Sequence, residues 1–254
     1  MKKKIIMLVA AAMMTLSASS AFAAFGDAEL FRIVYDRAGI ETGQALGNVA
    51  ALTAPGAPKT IAGSFNGVPA AAAFVTYFAL DRTTNQLWIS GTTGQTLKIN
   101  GGATGLTSAK SGFAGFVGLF TTYDATTGLP NGNASSYTGL AADLTSYKLK
   151  LSATQGNFGS AILAADRLKT EASLASVIGT TGGSVTQSLY FYNSGLTTVA
   201  AQKIGVEVAT ITTSFDGSST ITTPTAATPI PPAFFLMGSG LLGMFGLRRK
   251  NKVA

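Results

Sequence analysis

The carboxylates are the side chains of this sequence best suited to acid–base chemistry, because the chain has eleven Asp and Glu but no His and no Cys. The missing residue types remove Ser-His-Asp and Cys-His catalysis, thiol redox chemistry, disulfides, and metal sites built from His and Cys. A hydrolase that uses two carboxylates, as a glycosidase does, stays open as the third choice. The acids are scattered, and we expect them to be solvated or paired with a sequence neighbour, as in Asp81–Arg82 and Asp166–Arg167. We therefore expect no enzyme activity.

Four oxygen-bearing side chains between residues 124 and 143 could contribute to a calcium site: Asp124, Asn131, Asn133 and Asp143. Their spacing matches no calcium-loop motif, and Asp and Asn are also common turn residues. We interpret them as turn residues and predict neither a metal site nor a cofactor.

Aromatic side chains offer a second kind of chemistry, because a ring can stack on a sugar. Trp88, Tyr190 and Tyr192 are the main candidates, and strand alternation would place both tyrosines on one face with Phe191 on the other. Large aromatic residues more commonly fill a core. The stacking interpretation supports a carbohydrate-binding module as the alternative function, with exopolysaccharide as its ligand.

The elements that must position these residues are mainly short strands. Runs of aromatic and β-branched residues alternate with turn signals such as Asn66-Gly67 and Asp216-Gly217. The predicted strands lie at 30–35, 74–80, 87–90, 96–99, 113–122, 147–152, 189–192 and 206–215. Many short strands with glycine-rich turns predict a mainly β fold, interpreted as a single sandwich-like domain.

Three segments give more specific expectations. Residues 147–151 alternate polar and apolar as a half-buried strand does, and 206–223 predicts a hairpin with a two-residue turn at Asp216-Gly217. Residues 161–178 contain apolar residues among good helix formers and end at Gly179, so they predict one helix.

The N-terminus has the three parts of a secretory signal. Three lysines at 2–4 precede an apolar run at 5–16, and Ala21-Phe22-Ala23 forms a small-x-small cleavage site. We predict a signal peptide at 1–23 and a mature chain that begins at Ala24. The alternative, a retained anchor helix, is disfavoured because a span needs about 20 apolar residues.

The C-terminus has the pattern of a membrane segment followed by a basic stop. The stretch 230–247 carries no charge, and as a helix it would approach the thickness of a bilayer core of about 30 Å. Basic residues follow it and are expected on the cytoplasmic side: Arg248, Arg249, Lys250 and Lys252. We predict a transmembrane helix at 230–247.

The net charge of +7 belongs to these two ends. Of the 18 Lys and Arg, three lie in the signal and four in the tail, so eleven remain between 24 and 247 against the eleven Asp and Glu. The exported body is therefore neutral, and the high pI indicates topology rather than nucleic-acid binding.

The tail resembles the C-terminal sorting signals of exosortase-dependent bacterial surface proteins, the PEP-CTERM group. Those signals join a Pro-x-Pro motif, one membrane helix rich in Leu and Gly, and a terminal basic cluster. The proline motif here consists of Pro229, Ile230, Pro231, Pro232 and Ala233. Ile230 stands where the name-giving motif has Glu, which is closer to the Val-Pro-Leu-Pro-Ala variant, although Thr228 replaces its valine and Pro232 intrudes before Ala233.

The resemblance, which covers about 25 residues of the tail, implies a route rather than a fold. It implies export across the inner membrane of a Gram-negative bacterium, temporary anchoring there, and cleavage near the prolines by an exosortase-like membrane peptidase. The product would reach the cell surface or the extracellular matrix of a biofilm.

These observations predict an exported surface or matrix protein with a structural or adhesive role. Its predicted parts are a signal peptide at 1–23, a mainly β body at 24–217, a Ser/Thr-rich spacer at 218–228, and a sorting tail at 229–254. The expected partners are the exosortase, the inner membrane during transit, and exopolysaccharide, with no nucleic acid.

Overall fold

The computed structural model describes residues 26–36, 39–65, 67–103, 106–107, 109–114, 136–140, 147 and 161–224, with backbone alone at 136–140. The predicted signal peptide, membrane segment, proline motif and basic stop lie outside these ranges, as do Ala21, Ala23 and Ala24. No helix in the described ranges is long and apolar enough to cross a membrane.

The described part of the chain is mainly β, as the sequence predicted. Its strands are β1 (Glu29–Tyr35), β2 (Ile40–Asn48), β3 (Lys59–Ile61), β4 (Phe74–Asp81), β5 (Gln86–Thr92), β6 (Ser136–Leu140), β7 (Ala172–Ser173), β8 (Ser184–Tyr192), β9 (Val206–Ser214) and β10 (Ser219–Thr222). All ten join in one sheet in the order β3-β10-β9-β8-β5-β4-β1-β2-β6, with β7 paired to β4. Every pairing is antiparallel.

The sheet curves until it is nearly closed, in place of the two separate sheets of a sandwich. Strands β4 and β9 stand three positions apart in the order, yet Tyr77 Oη lies 2.6 Å from Thr213 Oγ1. At the other side, Gln44 of β2 donates a hydrogen bond to the carbonyl of Ala62, just after β3, at 2.9 Å. The curvature brings β1 and β4 face to face with β9 and β10, and we call these two parts of the sheet its arms.

Two apolar layers form the core, one on each face of the central strands. Alternation along β1 sends Leu30 and Val34 to the inner layer and Phe31, Ile33 and Tyr35 to the outer layer. The inner layer fills the space inside the curved sheet with residues such as Tyr77, Trp88, Leu189, Ile211 and Ile221.

The outer layer is closed by segments that are not strands of the sheet. Leu97, Phe113, Tyr147 and Ile162 pack there against the aromatic residues of β1 and β4. Phe78 stacks on Tyr147 with ring centroids 5.3 Å apart. This cover lies over β1, β4, β5 and the C-terminal half of β8.

Short helical segments connect the strands. Helix α1 (Val49–Leu52) begins at Asn48, whose side chain accepts from the Ala51 amide. At the C-terminal end of this helix, Lys59 Nζ donates to three carbonyls, those of Ala51, Leu52 and Ala54. Three 3₁₀ segments lie at Ala70–Ala72, Ala164–Thr170 and Ala200–Lys203.

The helix predicted at 161–178 is wrong for most of its length. The structure has a 3₁₀ segment at Ala164–Thr170, followed by β7. Ile162 forms a bridge with Ile99, and the Leu163 amide donates to the Lys98 carbonyl, so the start of the segment is extended. Tertiary hydrogen bonds outside the segment override its local preference, and Leu168 is exposed rather than packed.

The predicted hairpin is confirmed, but its turn is longer than the predicted two residues, because β9 ends at Ser214, β10 begins at Ser219, and the Ser214 amide donates to the Ser218 carbonyl. Strand β10 follows the turn at Asp216-Gly217, where Gly217 has φ +84 and the Asp216 carboxylate accepts from the Ser218 amide. The first compact unit of the chain ends at Thr223. The spacer predicted at 218–228 therefore includes a strand of the body, because β10 lies between β9 and β3.

Other strand predictions had mixed outcomes. Five of the eight predicted runs correspond to β1, β4, β5, β8 and β9, and the predicted hairpin partner corresponds to β10. The run 96–99 forms only isolated bridges. Phe113 and Tyr147, the first residues of two other runs, are helical, and most of the remaining residues of those two runs lie outside the described ranges. Strands β2, β3, β6 and β7 were not predicted as strands. Strand β2 carries Gly43 and Gly47 and shows no clear alternation.

Candidate functional site

The three aromatic residues singled out for sugar stacking lie in the core. Trp88, Tyr190 and Tyr192 are 8%, 4% and 1% exposed. The expected alternation is present, because both tyrosines belong to the outer layer while Phe191 packs on Trp88 at 4.9 Å between ring centroids. No ring face of the three is open to a sugar in this structure.

The tyrosine hydroxyls hold in place residues 95–97, one of the segments that cover the outer layer. Tyr190 Oη donates to the Gln95 carbonyl at 2.5 Å, and Tyr192 Oη donates to the Leu97 carbonyl at 2.9 Å. Burial raises the pKa of Tyr192, with the nearby Asp166 and Tyr190 acting in the same direction. The two hydroxyls act as hydrogen-bond donors that tie residues 95–97 to β8.

Two of the described carboxylates form ion pairs with residues other than the sequence neighbours expected for them. Arg82 binds Asp27, with Nε 2.7 Å from Oδ1, and not Asp81. Asp166 pairs with Lys169 at 2.6 Å and accepts from the Lys98 amide at 2.9 Å. Successive side chains of an extended segment point in opposite directions, which separates Asp81 from Arg82.

The shifted pKa values of two neighbouring carboxylates, Asp27 and Glu29, have structural causes. Burial raises the pKa of Asp27, but the hydrogen bonds and the charge of Arg82 outweigh it and hold that pKa below its usual value. Burial raises the pKa of Glu29. Among the described residues, no group of three or more Asp and Glu is placed to hold a metal ion.

A buried arginine connects the two arms of the sheet. Arg32 of β1 is 2% exposed, and its guanidinium donates to the carbonyls of Gly217 and Ser64 and to Ser219 Oγ. Gly63 lies against the guanidinium, where a Cβ would come within 2.3 Å of Nη1. Carbonyl dipoles thus take the place of a carboxylate around this charge, and no described acid forms an ion pair with Arg32.

The surface of the sheet opposite the inner layer carries a regular set of small hydroxyl side chains on β3, β10, β9 and β8. We call this set the threonine face; its members are Thr60, Ser184, Thr186, Thr210, Thr212, Ser214, Thr220 and Thr222. Alternation explains it, since Ala209, Ile211 and Thr213 of β9 are fully buried while the residues between them face outward.

Strand register aligns the threonine face in rows. One row crosses four strands, because Thr60 pairs with Thr220, Thr220 with Thr212, and Thr212 with Thr186. Three strand spacings make this row about 14 Å long, and the next row, Thr222–Thr210, lies about 7 Å away along the strands.

Within the row, hydroxyls of neighbouring strands contact each other. Thr60 Oγ1 lies 2.9 Å from Thr220 Oγ1, and Thr186 Oγ1 lies 2.9 Å from Thr212 Oγ1. Each such contact uses one O–H, so each pair keeps a second O–H donor and free acceptor lone pairs. The row therefore presents alternating donors, acceptors and methyl groups to solvent.

The second row ends in a buried hydroxyl. Ser188 pairs with Thr210 and shares the side of β8 that bears Thr186, but it is fully buried. Its Oγ has no hydrogen-bond partner among the described residues. Phe215, one residue beyond Ser214, is 43% exposed at the end of β9.

The sequence contained a signal for this surface. Thr210-x-Thr212 and Thr220-x-Thr222 occur on the two strands of the predicted hairpin, and period-two alternation already places each pair on one face. The pairing with Thr60 and Thr186 depends on long-range register, which the sequence does not display.

Comparison with known proteins supplies no further constraint: no family model, no curated protein and no solved structure matches this chain.

Proposed function

We propose that this chain is an exported protein of the bacterial cell surface or extracellular matrix, with a structural or adhesive role. The observation that carries the proposal is the separation of charge and hydropathy along the chain. All seven net positive charges lie in the signal-like and tail segments, and the residues between them are neutral. In this proposal an exosortase-like membrane peptidase processes the tail near Pro229–Ala233 while the inner membrane holds the precursor.

The folded body supports a non-catalytic role. Its interior is filled by two apolar layers, and Asp27 and Asp166 form ion pairs. The outward side chains of β3 and β10, and those of the paired stretches 184–186 and 210–214, bear hydroxyls rather than charges. Such a body is suited to persistent contact with a matrix, and the proposal assigns it no cofactor and no reaction.

Fractionation of producing cells with and without the exosortase gene tests the route. We expect the protein in the surface or matrix fraction of normal cells, and a larger, membrane-bound form in cells without the enzyme. The mass of the mature protein should place the two cleavage points near Ala24 and the prolines. The same extracellular location and mass in both strains would reject the sorting proposal.

A carbohydrate-binding module is the second candidate, and the threonine face favours it. The original basis for this alternative, the rings of Trp88, Tyr190 and Tyr192, is buried. The exposed hydroxyl rows offer a different basis, which does not require these rings.

A two-carboxylate hydrolase is the third candidate and has no specific support from the described acids. Incubation with neutral and acidic polysaccharides, followed by an assay for new reducing ends, tests it directly. We expect no release above that of heat-denatured protein, and release that is lost in an Asp→Asn variant would establish the hydrolase instead.

A further inference from the structure

We propose that the threonine face binds neutral polysaccharide by contacting extended polymer chains along its rows of hydroxyl side chains. This inference rests on the proposed extracellular role and gives it a ligand class and a surface. It concerns eight side chains on four neighbouring strands, β3, β10, β9 and β8.

The chemistry of the face matches a polyhydroxyl partner. A hydroxyl both donates and accepts, so a row of threonines is complementary to another row of hydroxyls. Threonine also exposes a methyl group beside each hydroxyl, which suits the C–H surfaces of a sugar ring. Phe215, exposed at the end of β9, supplies an aromatic ring at the rim of the face.

The charge of the face favours a neutral polymer over an acidic one. None of the eight side chains is ionisable. Lys59, the basic residue of β3, turns its ammonium to the carbonyls at the end of helix α1, 2.5 Å from that of Ala51. An acidic polysaccharide or a nucleic acid would therefore find no positive charge among the face residues to offset its own desolvation.

The geometry favours an extended, repeating partner. Side chains of similar length on adjacent strands form rows that repeat at about 5 Å across the strands and about 7 Å along them. A compact ligand would bury few of these groups at once. A polymer that lies across the strands contacts the whole Thr60–Thr186 row, and many weak contacts then add together.

A second observation is independent of this spacing. Ser188 continues the Thr222–Thr210 row, yet its buried Oγ has no hydrogen-bond partner among the described residues. Buried hydroxyls normally have partners. The row therefore ends on a polar atom that the described residues do not satisfy, and because this Oγ is fully buried, a bound water rather than the polymer itself would complete its hydrogen bonding.

Co-sedimentation of the full chain with insoluble polysaccharide tests the proposal. The probes are microcrystalline cellulose and an insoluble β-1,3-glucan as neutral polymers, and calcium-alginate gel as the acidic comparison. We expect the wild-type protein to bind at least one neutral polymer and to bind alginate weakly. Replacing Thr212→Val and Thr220→Val together should weaken binding by about tenfold, since two hydrogen-bonding groups are lost.

Matched variants separate the face from general effects. Thr83→Val with Thr84→Val removes two exposed threonines from the β4–β5 turn and should bind as the wild type does. If the paired face variant fails to fold, Thr186→Val alone and Phe215→Ala provide milder tests at the edge of the face. Circular dichroism and melting temperature establish that each variant is folded.

The outcomes distinguish this inference from the proposed function. The inference is overturned if the wild type and the face variant bind equally, or if the wild type binds neither neutral polymer. It is also overturned if the wild type binds no glycan but self-associates with increasing concentration, and the face variant loses that self-association. Cell fractionation of the same two proteins tests the wider proposal. If the wild-type protein is absent from the surface and matrix fractions, that proposal is rejected. If wild type and variant are retained there equally, only the role of the threonine face in binding polysaccharide is rejected.

Discussion

At the scale of single residues, the most unusual feature is the full burial of Arg32. A charge removed from water usually has an oppositely charged partner, because desolvation costs several kcal/mol. Here the carbonyls of Ser64 and Gly217 and the hydroxyl of Ser219 surround the guanidinium. Burial lowers the pKa of Arg32, although the nearby Tyr77 acts in the opposite direction. The planar fork of arginine can reach these separate acceptors at once, which a lysine cannot.

Arg32→Lys should therefore lower the free energy of unfolding by about 1–3 kcal/mol, because at least one buried carbonyl loses its donor. Urea denaturation measures the change. The partly exposed pair of Arg82 with Asp27 provides the comparison: Arg82→Lys should cost less than about 1 kcal/mol. Similar losses in the two variants would mean that the buried contacts of Arg32 contribute little.

The ion pair between Asp27 and Arg82 should make stability depend on acid. The pKa of Asp27 lies below its usual value in the folded protein, so its contribution is present above the unfolded pKa and is lost as pH falls through the folded pKa. Glu29, whose pKa is raised by burial, acts in the opposite direction and offsets part of this loss. Asp27→Asn should flatten the fall in stability below about pH 4.

Urea midpoints at several pH values between about 2.5 and 7 measure this effect. Arg82→Gln removes the cause of the pKa shift while keeping the carboxylate, and it should flatten the profile to a similar degree. An acid profile that is unchanged in both variants would show that other carboxylates govern the loss.

At the scale of elements, the contact between opposite arms of the sheet decides the architecture. Tyr77 of β4 reaches Thr213 of β9 and Ser219 of β10, at 2.6 and 2.9 Å. Its phenol is fully buried, and burial raises its pKa even though Arg32 and the two hydroxyls lower it. This polar link lies among the apolar residues of the inner layer and fixes how closely the arms approach.

Tyr77→Phe should destabilise the protein by about 1–2 kcal/mol, because the hydroxyls of Thr213 and Ser219 lose a buried partner. Hydrogen exchange should show the largest loss of protection in the β9–β10 hairpin. Tyr190→Phe is the comparison variant, since the Tyr190 hydroxyl donates instead to the carbonyls of Thr92, at the end of β5, and of Gln95, just beyond it. Its effect on exchange should fall on residues 92–97, and the same pattern in both variants would contradict the assignment.

At the scale of the whole molecule, strand β10 closes the fold. It pairs with β9 on one side and β3 on the other, and it supplies Ser219 to the Arg32 and Tyr77 contacts. Without it, β3 has no neighbour in the sheet order, and the inner layer loses Ile221.

A chain of residues 24–223 should therefore unfold cooperatively, while a chain of residues 24–217 should fail to form a stable fold. Circular dichroism and urea denaturation of the two purified fragments measure this difference. Equal cooperativity in both would return the boundary of the folded body to 217.

Much of the strand content could be predicted from local pattern, and the chemistry of the surface could not. The runs that became β1, β4 and β9 are rich in β-branched or aromatic residues, which identify strands locally. Strand β2 escaped prediction because its glycines hide its alternation, and residues 161–178 misled because long-range bonds to Lys98 and Ile99 replaced a local helix. The buried state of Trp88 was likewise undecided until the inner layer was known.

The sequence by itself determined the composition-dependent conclusions: a neutral body, no thiol or imidazole chemistry, a mainly β fold, and the hairpin at Asp216-Gly217. These depend on residue identity and on contacts between near neighbours. Only the tertiary structure decided that Arg32 is buried among carbonyls and that Thr60 joins Thr186 in one row. The contacts of Arg32 with Gly217 and of Thr60 with Thr220 join residues more than a hundred positions apart, and register between distant strands is set by packing of the whole sheet.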